Sequence, residues 1–299
     1  ADHHKLIDAP QTGPRNYPIE RLKRMKRMHE EKIEKFCNLF NVPKTEIVCF
    51  TSLIKGVTDI TIDYNLAAKA VLPNKQPASS YGINLQVKSV YPYSSKEYWN
   101  DCYMQLKSSF DLYMKNPIIQ RGNADFSVFS VAPIPLIIKL GEFIGDKLPC
   151  DVYQKTRFPD TWEWQAKELT NKFIVEKEKT TVTNGVIALN ISLTNDVNND
   201  RIFSVGEYEC VYKIKAEKNG VDCIKSVKDL SAFWHTYQNV LDEILNTHGT
   251  GCQIHLFPVM PVSAAFEVGR RYMLNTHPSI TIFDENNGFF ETLKMGGIA

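Results

Sequence analysis

The stretch FSVFSVAPIPLIIKLG at residues 126–141 recurs without a gap as IHLFPVMPVSAAFEVG at residues 254–269, 128 positions further along the chain. The identical residues at equivalent positions are Phe129 and Phe257, Val131 and Val259, Pro133 and Pro261, and Gly141 and Gly269. Each copy consists of an apolar run of strand length, a proline turn and an apolar helical pattern. The chain is therefore predicted to contain an internal duplication.

The surrounding sequence extends this duplication in both directions. Amphipathic helices are predicted upstream of the two copies, at residues 95–115 and 227–247. Predicted strands complete each half, at 47–54, 85–90 and 150–153 in the first and at 186–193, 208–214 and 280–283 in the second. The order strand, helix, strand, helix, strand is typical of a parallel, Rossmann-like sheet with helices on both faces. The expected fold class is α/β, with one duplicated domain over residues 40–299 whose halves are 40–170 and 171–299.

The segment that joins the halves, residues 172–200, differs from both in composition. Asn184-Gly185 at its centre favours a two-residue turn, which predicts a β-hairpin. Its last part, residues 194–200, is rich in Asn and Asp and is predicted to be a polar loop.

Composition excludes several classes of protein. The 35 Lys and Arg against 34 Asp and Glu give a net charge of +1, unlike a protein that coats nucleic acid or an anionic membrane over its whole surface. No apolar run approaches the roughly 20 residues of a membrane span. The seven cysteines are odd in number and form no C-x-x-C pair. These features predict a soluble, cytoplasmic protein with reduced thiols and no membrane partner.

Positive charge is concentrated near the start of the chain. Residues 1–35 hold nine Lys or Arg and six Asp or Glu, and five of the basic residues lie between Arg21 and Arg27. The apolar residues of this segment recur at roughly helical spacing, which predicts an amphipathic helix with a basic flank. Such a flank fits either contact with nucleic-acid phosphates or a solvated helix face.

The chain carries Asp2-His-His-Lys-Leu-Ile-Asp8 near its start and His29-Glu30 in the predicted basic helix. These two features resemble the end of the metal-binding motif and the end of the following helix in an HNH nuclease module, a ββα-metal fold. The resemblance implies that His4, with His3 as a second candidate, binds a divalent metal such as Mg²⁺. Residues 1–35 would then be the C-terminal remnant of the module with a linker helix. The general-base His and the Asn of the motif would precede Ala1, so we identify no catalytic residue and expect this chain alone to cut no DNA.

The proline turns mark the expected ligand site. In open α/β sheets, ligands bind beyond the carboxyl ends of the strands, where helices begin. Neither turn carries a G-x-G-x-x-G sequence, and no P-loop motif occurs, so dinucleotide cofactors and nucleoside triphosphates lose support. Two similar half-sites suit a ligand that is itself nearly two-fold and has two phosphates, such as a cyclic oligonucleotide.

Three features of the duplicated region occur together: Phe-Ser-Val-Ala-Pro-Ile-Pro before Leu-Gly141, the pair Trp162-Glu-Trp164, and the second copy of the repeat with the following Arg270. Together they resemble the SAVED domain. The resemblance covers roughly residues 40–299. SAVED domains consist of two fused CARF-like halves and sense cyclic oligonucleotides in bacterial CBASS antiphage defence, and one family layout joins an HNH nuclease to SAVED.

This resemblance implies a mechanism for the full-length protein. A cyclic dinucleotide, with 3′,2′-cGAMP favoured over a cyclic trinucleotide, would bind the SAVED domain and drive formation of a higher homo-oligomer. Assembly would activate the HNH modules to degrade double-stranded DNA. Two alternatives remain open: a stand-alone module that binds a cyclic nucleotide, and a ring nuclease that cleaves its ligand.

Several side chains near the proline turns are candidate ligand contacts. Trp162 or Trp164 would stack on a base, although one of the pair could be core. Arg157 would contact a phosphate or guanine, or form a surface ion pair. Ser263 would bind a phosphate or cap its helix. The other candidates are the turn prolines Pro133 and Pro261, the strand-end aromatics Tyr153 and Phe283, which could equally be core, and the turn residue His277, which could read a base edge or be solvated.

Overall fold

A computed structural model describes residues 7, 9–10, 12–39, 42–55, 60–116 and 125–296, with the backbone alone at 32–39. Within these ranges the chain divides into two compact units, one from Ala1–Lys44 and Leu72–Gln76, the other from Thr45–Val71 and Pro77–Ala299. No helix in the described ranges is long and apolar enough to cross a membrane.

The first unit contains a short helix and a long one, α1 (Gly13–Asn16) and α2 (Ile19–Leu39). The predicted basic helix is α2, and the basic side chains at its start are exposed. Three of them lie near glutamates one turn along the helix, as in Lys23–Glu20 at 3.2 Å and Lys26–Glu30 at 3.6 Å. Ion pairs as exposed as these contribute little stability.

The first half of the duplication forms a five-stranded sheet. β1 is flanked on one side by β4 and β5 and on the other by β2 and β3, and the pairings of β1 with β3 and β4 and of β4 with β5 are parallel. Its elements are β1 (Lys44–Ser52), α3 (Tyr64–Val71), β2 (Gln76–Pro77), β3 (Ile83–Val87), α4 (Lys96–Phe110) with a π-helical turn (Asp111–Lys115), β4 (Phe126–Val131), α5 (Ile134–Ile144) and β5 (Cys150–Val152).

The second half forms a six-stranded sheet in the order β11-β10-β9-β7-β8-β6. The four central strands are parallel, and the edge strands β6 and β11 are antiparallel to their neighbours. Its elements are β6 (Phe173–Lys179), β7 (Val186–Ser192), α6 (Asn199–Phe203), β8 (Cys210–Ala216), α7 (Val227–His248), β9 (Gln253–Val259), α8 (Val262–Arg270), β10 (Ile280–Glu285) and β11 (Phe289–Met295).

The linker between the halves departs from its prediction. β6 and β7 do not form a hairpin: both pair with β8, β6 antiparallel and β7 parallel. β7 cannot pair with β6 because its two edges already bond β8 and β9. The predicted polar loop ends in the short helix α6, which begins at Asn199 with the Asn198 side chain accepting a hydrogen bond from the Asp200 backbone.

One hydrophobic core connects the two sheets. It contains buried side chains from β1 and β4 of the first sheet, from β7 to β10 of the second, and from helices α4, α5, α7 and α8. Smaller clusters cover the outer faces, under α3 in the first half and around α6 in the second. The prediction of helices on both faces is therefore confirmed for each half.

The two repeat helices, α5 and α8, cross at the two glycines that the repeat aligns. A Cβ on Gly269 would lie 1.8 Å from the carbonyl oxygen of Ile138, and one on Gly141 would lie 2.2 Å from that of Phe266. Only glycine permits so close an approach of two backbones. The repeated glycines therefore set the packing of one half on the other.

Candidate ligand-binding site

The two proline turns lie at the carboxyl ends of equivalent strands, as the sequence predicts. β4 ends at Val131 and β9 at Val259, and Pro133 and Pro261 are the N-caps of α5 and α8. Both prolines are buried, and the residues that follow them, Ile134 and Val262, are only partly buried. The proline rings are therefore covered, and Ile134 and Val262, which pack partly against the central core, keep only part of their surface accessible.

Ser263, in the first turn of α8, bonds to a residue of the other half. Its backbone N–H and its hydroxyl both donate to Gln154 Oε1, at 3.2 and 2.9 Å. Ser263 is fully buried, and Gln154 lies two residues beyond β5. The first half thus caps the repeat helix of the second half, so a phosphate could reach this N–H only by displacing Gln154.

A second cross-half contact involves the position equivalent to Gln154. β5 pairs with β4 as β10 pairs with β9, so Gln154 corresponds to Asp284. The hydroxyl of Tyr93, from the segment between β3 and α4, donates to Asp284 Oδ2. Burial raises the pKa of this carboxyl above its usual range. Gln154 of the first half therefore contacts the second half, and the equivalent Asp284 of the second half contacts the first.

Buried polar atoms lie at the carboxyl edge of the first sheet. Among them, Ser130 Oγ, near the end of β4, and Trp99 Nε1, in the first turn of α4, have no hydrogen-bond partner among the described residues. Trp99 packs on Tyr93, with ring centroids 5.2 Å apart. Buried polar atoms normally bond to protein, water or ligand, so this edge has unused hydrogen-bonding capacity, part of it next to the Tyr93–Asp284 contact.

Tyr153, directly after β5, and Phe283, within β10, are core residues. Tyr153 stacks on Phe129 at 4.6 Å, and Phe283 stacks on Phe257 at 4.7 Å. Both pairs belong to the clusters on the outer faces of the sheets. The expectation that Tyr153 or Phe283 offers a base platform is not met in this structure, because neighbouring rings already cover them.

The segment after β5 buries one of the two tryptophans. Trp162 is 2% exposed and meets Phe129 edge-on, with centroids 5.2 Å apart, and Lys155 Nζ lies 5.5 Å from its ring centre. Trp162 is therefore no stacking surface in this structure. Trp164 is half-buried against the central core, and Arg157 is exposed and makes no ion pair with any described residue.

His277 lies away from the proline turns. It follows α8 and precedes β10, which places it at the amino ends of the strands, and it is 5% exposed. Its Nδ1 accepts from the Met273 N–H at 3.1 Å, and burial lowers the pKa of the ring. The structure therefore does not bring His277 together with the proline turns, and a contact of His277 with a base edge stays a prediction.

The predicted metal ligands His3 and His4 fall outside the described residues. Within the residues that are described, no group of three His, Cys, Asp or Glu side chains is placed to hold a metal ion. The residues that sequence reasoning missed are Gln154, Asp284 and Tyr93. Extending the repeat through Tyr153 and Phe283 would have found the first two, since each is the polar residue that directly follows one of these aligned aromatics.

Comparison with known proteins relates this arrangement to a group of receptors. Two solved structures of the Acinetobacter baumannii Cap4 SAVED/CARF-domain containing receptor share its fold: the form with the cyclic trinucleotide 2′3′3′-cAAA has a TM-score of 0.52 at 12% identity, and the form with 3′3′3′-cAAA has 0.51 at 11%. The matches cover 84% and 85% of this chain but 51% of each receptor, so the chain spans about half the receptor's length. No curated protein matches in sequence.

The family match covers most of the chain. Residues 113–295 match the family described as "SMODS-associated and fused to various effectors sensor domain", abbreviated SAVED. This range runs from the π-helical turn after α4 to the end of β11 and so includes both proline turns. The chain belongs to the SAVED family of sensor domains.

Proposed function

We propose that this chain binds a cyclic oligonucleotide at the carboxyl edge where its two halves meet. The observation that carries the proposal is the two-fold equivalence of that edge: Pro133 and Pro261 begin crossing helices, and Gln154 and Asp284 each contact the other half. A ring with repeated nucleotides presents similar groups twice. The fold shared with the Cap4 receptors, which were solved with cyclic trinucleotides, supports the same ligand class.

The helix starts themselves offer few free donors for phosphate. In α5, Pro135 has no N–H, and the N–H groups of Leu136 and Ile137 both point to Pro133 O. In α8, the Ser263 N–H is already bonded to Gln154. We therefore assign the phosphate contacts mainly to side-chain cations, with Arg157 as the first candidate because it is exposed at this edge and has no ion-pair partner among the described residues.

The number of nucleotides in the ring is a second, more specific part of the proposal. A cyclic dinucleotide, 3′,2′-cGAMP first, matches the two half-sites one to one. A cyclic trinucleotide is the alternative, and the ligands of the Cap4 receptors favour it.

Thermal unfolding of the chain with a panel of cyclic di- and trinucleotides tests this function. A specific ligand at 100 times its Kd stabilises the folded state by about 2.7 kcal/mol, or roughly 5 °C for a domain of this size. Linear dinucleotides of the same bases are the matched control and should give no comparable shift. A folded protein that responds to no cyclic nucleotide would contradict the proposal.

For the longer protein we propose a ligand-gated HNH nuclease acting on double-stranded DNA. The support is the N-terminal resemblance around His4 and the family's fusion to various effectors. His4, with His3, would help to hold a divalent metal, which in this chemistry stabilises the leaving oxygen. The full-length protein with Mg²⁺ should assemble into oligomers and degrade DNA only when the cyclic nucleotide is added. Equal cleavage without the nucleotide would refute gating.

A further inference from the structure

An ordered loop after β5 exposes a phenylalanine to water. Phe158 is 96% exposed, at the tip of the segment Thr156–Thr161. The base of the loop is closed by Thr156, whose N–H donates to Thr161 O at 3.0 Å and whose hydroxyl donates to Pro159 O at 2.9 Å. The ion pair of Lys155 with Asp160 joins its two sides. The loop is therefore held by its own contacts without using the Phe158 ring.

The position of this loop connects it to the candidate site. It leaves β5, the parallel neighbour of β4, at the carboxyl edge that also carries the Pro133 turn. Gln154, four residues before Phe158, bonds to Ser263 in the first turn of α8. The loop thus starts where the two halves meet at their carboxyl ends.

The chemistry of the loop tip suits a nucleotide. An exposed aromatic ring gains most when a flat partner covers it, and stacking tolerates any base because every base has a π-face. Arg157, the adjacent residue, is exposed and without an ion pair among the described residues, so it can reach a phosphate. The strand-end aromatics and Trp162 cannot fill this role, because they are at most 7% exposed.

We propose that Phe158 stacks on a base of the bound cyclic oligonucleotide and that Arg157 contacts an adjoining phosphate. This inference rests on the proposed function and names the residue that provides the base platform. The base platform is then Phe158, which the loop exposes, and not Trp162, which packs under Lys155 as part of the core.

Isothermal titration with 3′,2′-cGAMP and 3′3′3′-cAAA tests the assignment. With whichever probe binds the unmodified chain, Phe158→Ala should weaken binding about 5- to 150-fold, the range measured for loss of one stacked base. Phe158→Trp should retain affinity, and Phe158→Leu, which keeps apolar area but not the π-face, should lose it. Arg157→Gln should weaken binding and reduce its dependence on salt concentration.

The matched control is Tyr81, another exposed aromatic, which precedes β3 and so lies at the opposite edge of the sheet. Tyr81→Ala should leave affinity unchanged. If the unmodified chain binds a probe and Phe158→Ala binds it equally well, the inference fails and the proposed function stands. The inference fails in the same way if Phe158→Ala lowers only ligand-induced oligomerisation, since the ring would then contact another subunit. Failure of the unmodified chain to bind either probe would overturn the proposed function and this inference with it.

Discussion

At the scale of single residues, the contacts between the halves depend on two equivalent positions with different chemistry. Gln154 accepts two hydrogen bonds from Ser263, and Asp284 accepts one from Tyr93. Extending the repeat aligns Gln154 with Asp284, but residue spacing could not show that their partners are Ser263 and Tyr93, because those contacts depend on three-dimensional positions. The same limit applies to Trp162, whose burial results from the turn of the Thr156–Thr161 loop.

Gln154→Ala should destabilise the fold, because it leaves the N–H and the hydroxyl of Ser263 buried without an acceptor. Each unsatisfied buried group costs about 1–3 kcal/mol, so we expect the free energy of unfolding to fall by about 2 kcal/mol or more. Urea unfolding followed by circular dichroism measures the change. Gln165→Ala is the control, since Gln165 is exposed and its side chain donates to nearby Glu163 O; an equal loss there would contradict this explanation.

Asp284→Asn should change the pH dependence of stability. The pKa of Asp284 is raised by burial above its usual 3.8, so the folded state binds its proton more tightly than the unfolded state does. The stabilisation that this proton gives the wild type is present below about pH 4 and is lost as the pH rises through the raised pKa. Asparagine can still accept from Tyr93 without a charge. Urea midpoints at several pH values should therefore show that the stability of Asp284→Asn, relative to the wild type, increases as the pH rises.

Tyr93→Phe provides the contrast for that experiment. It removes the donor and leaves the Asp284 carboxyl without this partner, so it should destabilise the protein most at neutral pH, where the carboxyl tends to ionise. Identical pH profiles for wild type and Asp284→Asn would show that Asp284 titrates normally.

At the scale of secondary-structure elements, the repeat correctly predicted the strands and helices around both proline turns. The edge strands were predicted less well. β6 is almost wholly exposed, so its charged sequence Glu176-Lys-Glu-Lys179 carries no apolar alternation, and β11 was not predicted at all. Buried parallel strands leave a clear apolar signal, whereas exposed edge strands pair through their backbones and leave little.

The crossing of α5 and α8 gives a prediction at this scale. Gly269→Ala would place a methyl group 1.8 Å from the Ile138 carbonyl oxygen, and backbone rather than a flexible side chain would have to move. We expect a loss of several kcal/mol or failure to fold. Gly251→Ala, where a Cβ meets nothing within 4 Å, is the control and should unfold at nearly the wild-type temperature. A thermal melt of both variants measures the difference. Equal melting temperatures would contradict the explanation that only glycine fits where α5 and α8 cross.

At the scale of the whole molecule, the duplicated sequence suggests two separable halves, yet Thr45–Val71 and Pro77–Ala299, which include most of both halves, form one compact unit, and a central core holds side chains from both sheets. Residues 171–299 alone would lose Gln154 at the start of α8, Tyr93 beside Asp284, and the α5 backbone against Gly269. They would also expose the side chains that the second half contributes to the core connecting the two sheets. We therefore expect this fragment to show no cooperative thermal transition and no near-ultraviolet circular dichroism under conditions where the intact chain shows both. A cooperative melt of the isolated fragment would mean that the halves fold independently, and that ligand binding between them could act by bringing together preformed halves.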